Sequence, residues 1–307
     1  MHIHSRAILY FDMIRRCGSI REAARHLHVA SSAVNRQLLQ LEEEVGGPLF
    51  ERLSGGLRLT PTGEIFSRHV LTVLQDQNRL VSELGLLRGV HRGTVQIAAV
   101  EGLTADILPT VIAAMRQRHP GITIQVRICG SAQAARAVME GEADVGIGFA
   151  IERSEQLRQC SVARFELGVI APAGHPIASC KRVDFARCAQ YPLIMPSREL
   201  SMHGLLQPVV SHHKGALNVC IEVSSVELGK KLAEAGVGLF FQSRIGVEQE
   251  QQKGTLVHIP LNTPQAMYSE LGVYVRAGRT LPSALDAFLQ IVTRLIEERQ
   301  RSEVTSG

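Results

Sequence analysis

The chain has 307 residues, long enough for two or more domains, and is 45% hydrophobic and 20% charged, ordinary for a folded globular protein. Its net charge of +4 permits nucleic acid as a partner without requiring it. No apolar run reaches the roughly 18–20 residues of a membrane helix, and the first apolar stretch ends at Asp12, too soon for a signal peptide. A cytoplasmic protein with no membrane partner is therefore expected. The cysteines (Cys17, Cys129, Cys160, Cys180, Cys188 and Cys220) include no C-x-x-C pair, so no metal site is expected and reduced thiols are the default. The short spacing of Cys180 and Cys188 leaves a redox pair as the minor alternative.

Gly18 closes a first helix. Ser19, with Glu22 three residues on, has the spacing of a capping box, in which each side chain serves the other's amide. Ile20, Ala23, Ala24 and Leu27 form one apolar face, and the small alanines allow another helix to approach closely. His28-Val29-Ala30 connects to a helix running from about Ser31 to Val45, whose inward face is Val34, Leu38, Leu41 and Val45. Ser32, Asn35, Arg36 and Leu39 stand on its other side. Short polar groups at the front of such a helix reach base edges in a major groove, and its first amides meet phosphates. Residues 1–41 hold six arginines against Asp12 and Glu22, and Glu42-Glu43-Glu44 reverse the sign at the far end. Residues 49–53 and 57–60 then read as two short strands joined by Ser54-Gly55-Gly56, a hairpin signal. Three helices and a hairpin make a winged helix-turn-helix, with Arg52 and Arg58 placed where a wing meets the phosphate backbone.

The pieces "AARHLHV", "SAVNRQL", "LEEEVG", "LFER" and "LTPTGE" fall, in order and spacing, as in the DNA-binding domain of LysR-type transcriptional regulators, and residues 4–65 resemble it continuously. The resemblance implies double-stranded DNA as a partner and contacts from Ser31, Ser32, Asn35, Arg36, Gln37, Arg52, Arg58 and Thr60. This chain departs from the family pattern at Ala30, where a capping Ser is usual and Ser31 is the expected substitute. It departs again at Ser31, where a base-reading Gln is common, at Asn35, where a Ser is common, and at the Gly-Gly wing tip.

Thr60-Pro61 starts a helix, Thr as cap and Pro at the first helical position. Phe66, Val70, Val73, Gln77, Leu80, Leu84 and Leu87 follow at alternating steps of four and three, a coiled-coil seam widened by Leu74 and Val81. The stripe serves either the chain's own core or a partner helix; the resemblance favours a homodimer or homotetramer held by Phe66, Val70, Val73, Gln77, Leu80 and Leu84. Residues 88–93 end this helix and begin a linker. The expected division is 1–60 for DNA binding, 61–93 for dimerisation and hinge, and 94–300 for the remainder.

From Thr94 strands alternate with helices: "TVQIAAV", "TVIAAMRQRH", "GITIQVRIC", "AQAARAVMEG" and "ADVGIGF". The pattern restarts at "FELGVIAP" and continues through "YPLIMPS", "NVCIEV" and "ELGKKLAEAGVGLFF". It returns with "SELGVYVR" and a last helix near 282–298. Such alternation implies parallel sheets covered by helices. "RHPGITIQV", "GEADVGIG" and "LAEAGVGLFF" resemble the LysR effector-binding domain. The resemblance implies an α/β fold of two subdomains like periplasmic solute-binding proteins, about 94–165 with 267–300 and about 166–266. Gln242-Ser243 stands where the family usually has a Pro.

Ligands of open α/β sheets bind beyond the carboxyl ends of the strands. That rule selects Glu101, Gly102 and Thr104, then Gly130 and Ser131, Phe149, Pro196 and Ser197, and Ser224 and Ser225. Hydroxyls and free amides there suit a small carboxylate or other anion, although plain helix capping explains any single one equally well and Glu101 fits an anion site poorly. No G-x-S-x-G, P-loop, G-x-G-x-x-G or H-E-x-x-H appears, so no catalytic residue or cofactor is expected. A secreted solute-binding protein explains residues 94–300 but not the first 65. The reading is a sequence-specific DNA-binding regulator modulated by a small effector, with RNA polymerase as a further candidate partner.

Overall fold

The computed structural model describes residues 6–87 and 93–306. The chain forms two compact units, Met1–Glu83 and Leu84–Gly307. Of the expected linker at residues 88–93, residues 88–92 lie outside the described residues and Gly93 opens a strand.

The first unit contains α1 (Arg6–Cys17), α2 (Ile20–Leu27), α3 (Ser31–Val45), the strands β1 (Phe50–Leu53) and β2 (Gly56–Leu59), and the start of α4 (Pro61–Leu87). Gly18 adopts φ +62, the left-handed conformation that turns the chain out of α1. Ser19 Oγ accepts from the Glu22 amide at 3.4 Å. The reciprocal half of the expected capping box is replaced, because the Glu22 carboxylate pairs with Arg25 and His26 instead. The expected cap at Ser31 also differs. Ala30 occupies the cap position of α3 with no side-chain bond, a sacrifice of about 1 kcal/mol relative to Ser or Asp there.

Phe11, Ile14, Val34, Leu38, Leu41, Leu49 and Phe50 form the core, with Ala23 and Ala24 at the close approach of α2. The wing is tied to the helices by backbone. Glu42 accepts from the amides of Leu49 and Phe50 at 2.7 and 3.3 Å, and the Leu57 amide donates to Gly18 O at 2.7 Å. The hairpin turn is Ser54-Gly55, since Gly56 already pairs with Leu53.

The second unit has an element order that places strand ends together. It runs β3 (Gly93–Ala99), α5 (Ile107–Arg118), β4 (Ile122–Ile128), α6 (Ser131–Met139), β5 (Val145–Phe149), β6 (Leu157–Pro172) and α7 (Phe185–Cys188). It continues with β7 (Leu193–Pro196), α8 (Ser201–His212), β8 (Val219–Val223), α9 (Val226–Glu234), β9 (Leu239–Ser243) and α10 (Glu248–Lys253), and ends with β10 (Leu256–Pro260), β11 (Tyr268–Arg276) and α11 (Ser283–Ser306). The strands follow the order β4-β3-β5-β11-β6-β9-β7-β8, with β10 also on β6. β3 is parallel to β4 and β5, and β7 is parallel to β8 and β9.

The 16-residue strand β6 changes partners partway along. Residues 157–166 pair with β11, and residues 167–172 pair with β9 and β10. The two largest clusters of buried residues in the second unit lie one under β3, α5 and α11, the other around β6, β7 and β9. Arg299 of α11 clamps Asp106, ahead of α5, with two bonds of 2.7 and 2.9 Å. No described helix is long and apolar enough to cross a membrane.

Gly63 in the first turn of α4 sits so close to the wing that an added Cβ would lie 2.0 Å from Leu49 O, whereas Gly55 at the wing tip faces open space. Gly63→Ala is expected to destabilise the first unit by about 1–3 kcal/mol, the usual range for overpacking, and Gly55→Ala to change little. Denaturant melts of both variants check this; equal midpoints would contradict the packing.

Candidate functional site

The front of α3 presents the expected reading surface. Ser31, Ser32 and Arg36 are exposed, and Asn35 and Gln37 half-buried. Gln37 donates to Gln40 at 3.4 Å on the same face. The local charge excess rests on fewer arginines than the sequence holds, because three of them are paired. Arg15 and Arg16 both pair with the buried Asp12 at 2.8 Å, and Arg25 pairs with Glu22. In the wing, Arg58 is bound to Glu51 at 2.7 Å across the hairpin, so its charge is shared. Arg36 and Arg52 are exposed and make no ion pair among the described residues. Thr60 serves the fold first: its hydroxyl donates to Pro48 O at 2.6 Å and accepts from the Gly63 amide at 3.0 Å, capping α4.

The expected seam on α4 divides. Val70 is fully buried and Phe66 packs edge-on against Phe11 at 5.0 Å, both within the core of the first unit. Both positions take part in the chain's own packing; Val70 is closed off by it, while Phe66 is only half-buried. Val73 and Gln77 are half-buried, while Leu80, Val81 and Leu84 are exposed. The side chain of Leu87 lies outside the described residues.

In the second unit, the loops beyond the strand ends enclose a cavity of about 320 Å³. Glu101 and Gly102 enter it after β3, Gly130 and Ser131 after β4, Phe149 from the end of β5, and Ser224 and Ser225 after β8. Those seven are sequence-expected residues brought together. Thr104, Pro196 and Ser197 are not among the lining: the Thr104 hydroxyl donates to Glu101 O at 2.7 Å, and Pro196 pairs with Val223 inside the sheet. The sequence reading missed Glu199, Leu200, Ser201 and Met202 at the start of α8, and Gln242, Ser243 and Ile245 at the end of β9. Gly204 and Pro208 inside α8 obscure its helical period. Gln242-Ser243 carried a signal, since that pair stands where the family usually has a Pro.

Glu101 does not point away from the cavity. Its Oε1 accepts from the Ser225 hydroxyl at 2.9 Å and its Oε2 from the Val226 amide at 2.7 Å. Ser225 Oγ in turn accepts from the Leu228 amide at 3.1 Å, the N-cap of α9. A carboxylate from the β3 side of the cleft thus occupies the first turn of a helix on the β8 side, where the aligned peptide dipoles favour negative charge. The anion expected at that helix start meets a resident one. Opposite it, Ser131 Oγ accepts from the Phe149 amide at 3.0 Å, so its own proton remains available to a ligand.

The described cysteines are all free thiols. Cys188 is fully buried, and burial pushes its thiol up to about 12, which suppresses the thiolate that redox exchange needs.

Residues 5–64 match the family described as bacterial regulatory helix-turn-helix protein, lysR family, and residues 88–296 match the LysR substrate binding domain. The RuBisCO operon transcriptional regulator of Allochromatium vinosum is 26% identical over 292 residues, covering 95% of this chain and 96% of its own. A probable RuBisCO transcriptional regulator of Synechocystis sp. is 26% identical over 284 residues, covering 90% of this chain and 81% of its own. A full-length OxyR variant from Pseudomonas aeruginosa has the same fold, with a TM-score of 0.73 over 95% of both chains at 18% identity. A helix-turn-helix at one end and a substrate-binding domain over most of the remainder make this chain a member of the LysR family of DNA-binding transcriptional regulators.

Proposed function

We propose that this regulator reads its operator with α3 and the wing, and that a small molecule in the cleft of the second unit changes how it does so. The observation that carries the reading is the convergence of loops from six strands, β3, β4, β5, β7, β8 and β9, on one cavity. Such convergence beyond parallel strand ends is where open α/β sheets take ligands. The subdomains are residues 94–165 with 267–300 and residues 166–266, a division supported by the change of partners along β6. A ligand gripping both sides of the cleft favours one arrangement of the subdomains. It shifts their equilibrium only by its difference in affinity for the two states, and a typical coupling to DNA is about 1–3 kcal/mol.

Assembly as a homodimer or homotetramer is part of the same proposal. The exposed apolar positions Leu80, Val81 and Leu84 on the far half of α4 support it, because a second copy of the helix buries them with coiled-coil spacing. Two recognition helices then enter successive major-groove segments of a pseudo-palindromic operator. RNA polymerase is a proposed partner on the family resemblance alone.

Arg36→Ala and Asn35→Ala are each expected to weaken operator binding by roughly ten- to a hundredfold, the value of a specific base contact of about 1–3 kcal/mol. Gel-shift titration of folded variants measures it, and wild-type affinity in both would remove α3 from base reading.

Ser131→Phe fills the cleft next to Phe149. DNase footprints with and without inducer should show a ligand-free pattern like wild type and no ligand response. A normal response would place the effector elsewhere.

A further inference from the structure

One side chain of α3 is explained neither by the core nor by the polar reading surface. Leu39 is 56% exposed, in a helix whose other leucines and valines turn inward: Val34, Leu38 and Leu41 are buried, and Val45 packs against them. Scattered exposed leucines are ordinary on protein surfaces, but this one has a definite place. At 3.6 residues per turn it points within about 20° of Ser32, between the directions of Asn35 and Arg36, and roughly 10 Å further along the helix than Ser32. It belongs to the face whose polar groups are proposed to read DNA.

The surroundings limit what this leucine can meet. Ser32, Arg36 and Glu43 share its face and are exposed, and Asn35 is half-buried, so no apolar patch extends around it. A single leucine buries far less than the area that holds two proteins together. On the flank, Gln37 donates to Gln40 at 3.4 Å and Gln40 to Glu44 at 3.2 Å, a polar stripe engaged with itself. Glu43 lies one turn beyond Leu39 and carries the charge of a phosphate, so Leu39 stands last on the part of the face that suits a polyanion. Phosphates offer an apolar side chain nothing. In the major groove the base edges are rows of polar donors and acceptors, with one apolar feature, the C5-methyl group of thymine.

We propose that Leu39 is a specificity-determining residue of this regulator, packing its side chain on the methyl group of a thymine in the operator. The assignment rests on the reading of α3 as the helix that enters the groove, and deepens it by naming a base. Contact removes the leucine and the methyl from water together. Any other base sets a polar group at that place, which loses water to the leucine and gains no partner. Selection for thymine therefore comes from both the gain with the methyl and the cost of its replacements.

The duplex that the full-length protein selects from a random library serves as the probe, with each thymine replaced in turn by deoxyuridine, which lacks the methyl group alone. At least one replacement is expected to weaken wild-type binding by roughly three- to tenfold, the worth of one methyl group taken out of water. In Leu39→Ala the same replacement should cost less than about twofold, because the cycle has lost its coupled partner. Alanine favours a helix and the site is exposed, so this variant keeps its fold. Insensitivity of the wild type to every methyl, or an undiminished methyl cost in Leu39→Ala, overturns the proposal. Asn35→Ala and Arg36→Ala on the unmodified duplex separate the two claims. Weakened binding in either, with no methyl effect, keeps α3 as the reading helix and removes Leu39. Wild-type affinity in both, with no methyl effect, removes α3 and Leu39 with it.

Discussion

One carboxylate governs the cleft. Glu101 leaves the end of β3, crosses the opening, and is held by the Ser225 hydroxyl and the Val226 amide at the start of α9. Charge-assisted bonds of this kind are worth roughly 1.5–3 kcal/mol each when sheltered. The continuous strand β6 joins the same two halves covalently, with β11 on its first part and β9 and β10 on its second. A strand alone permits the halves to twist about it; the Glu101 bridge, together with the Gln249 amide donating to Ala105 O at 2.8 Å, ties them on the open side. Any ligand must either add to that bridge or compete with it, so the chemistry of one residue links occupancy of the cleft to the geometry of the domain.

The first unit was largely legible in sequence because its signals are local. Gly18, the Ser19 cap, the period of Val34, Leu38 and Leu41, and the Thr60-Pro61 start each concern neighbours a few residues apart. What failed there involved competition between partners. Glu22 has two basic neighbours on its own helix and takes them in preference to the Ser19 amide. The heptad on α4 has the right spacing throughout, yet spacing does not say which partner fills it, and Val70 is buried within the chain's own core.

The second unit was legible as a class of fold and only in part as a site. Strand ends pointed to seven of the lining residues because topology dictates where those ends gather. The first half of β6 and all of β10 escaped notice, since their half-buried edges carry no clean alternation, as in "LRQCSVAR" and "LVHIP". The role of Glu101 was illegible for a different reason. Its partners lie 124 and 125 residues away, and no local pattern records a bond between segments so far apart in the chain. Charge counting gave the local excess at the other end of the chain but not which arginines carry it, because Asp12 holds Arg15 and Arg16 and Glu22 holds Arg25. Arg36 and Arg52 remain as exposed cations of the reading helix and the wing.

The Glu101 bridge is tested most directly by amide hydrogen exchange at Val226, followed site by site in wild type and in Glu101→Ala. Val226 opens α9, so its amide has no partner within the helix, and Glu101 is its acceptor. Removing the carboxylate should speed exchange at Val226 by about ten- to a hundredfold, while amides deeper in α9 keep their protection. Unchanged exchange at Val226 would mean that the bridge does not hold the cleft in solution.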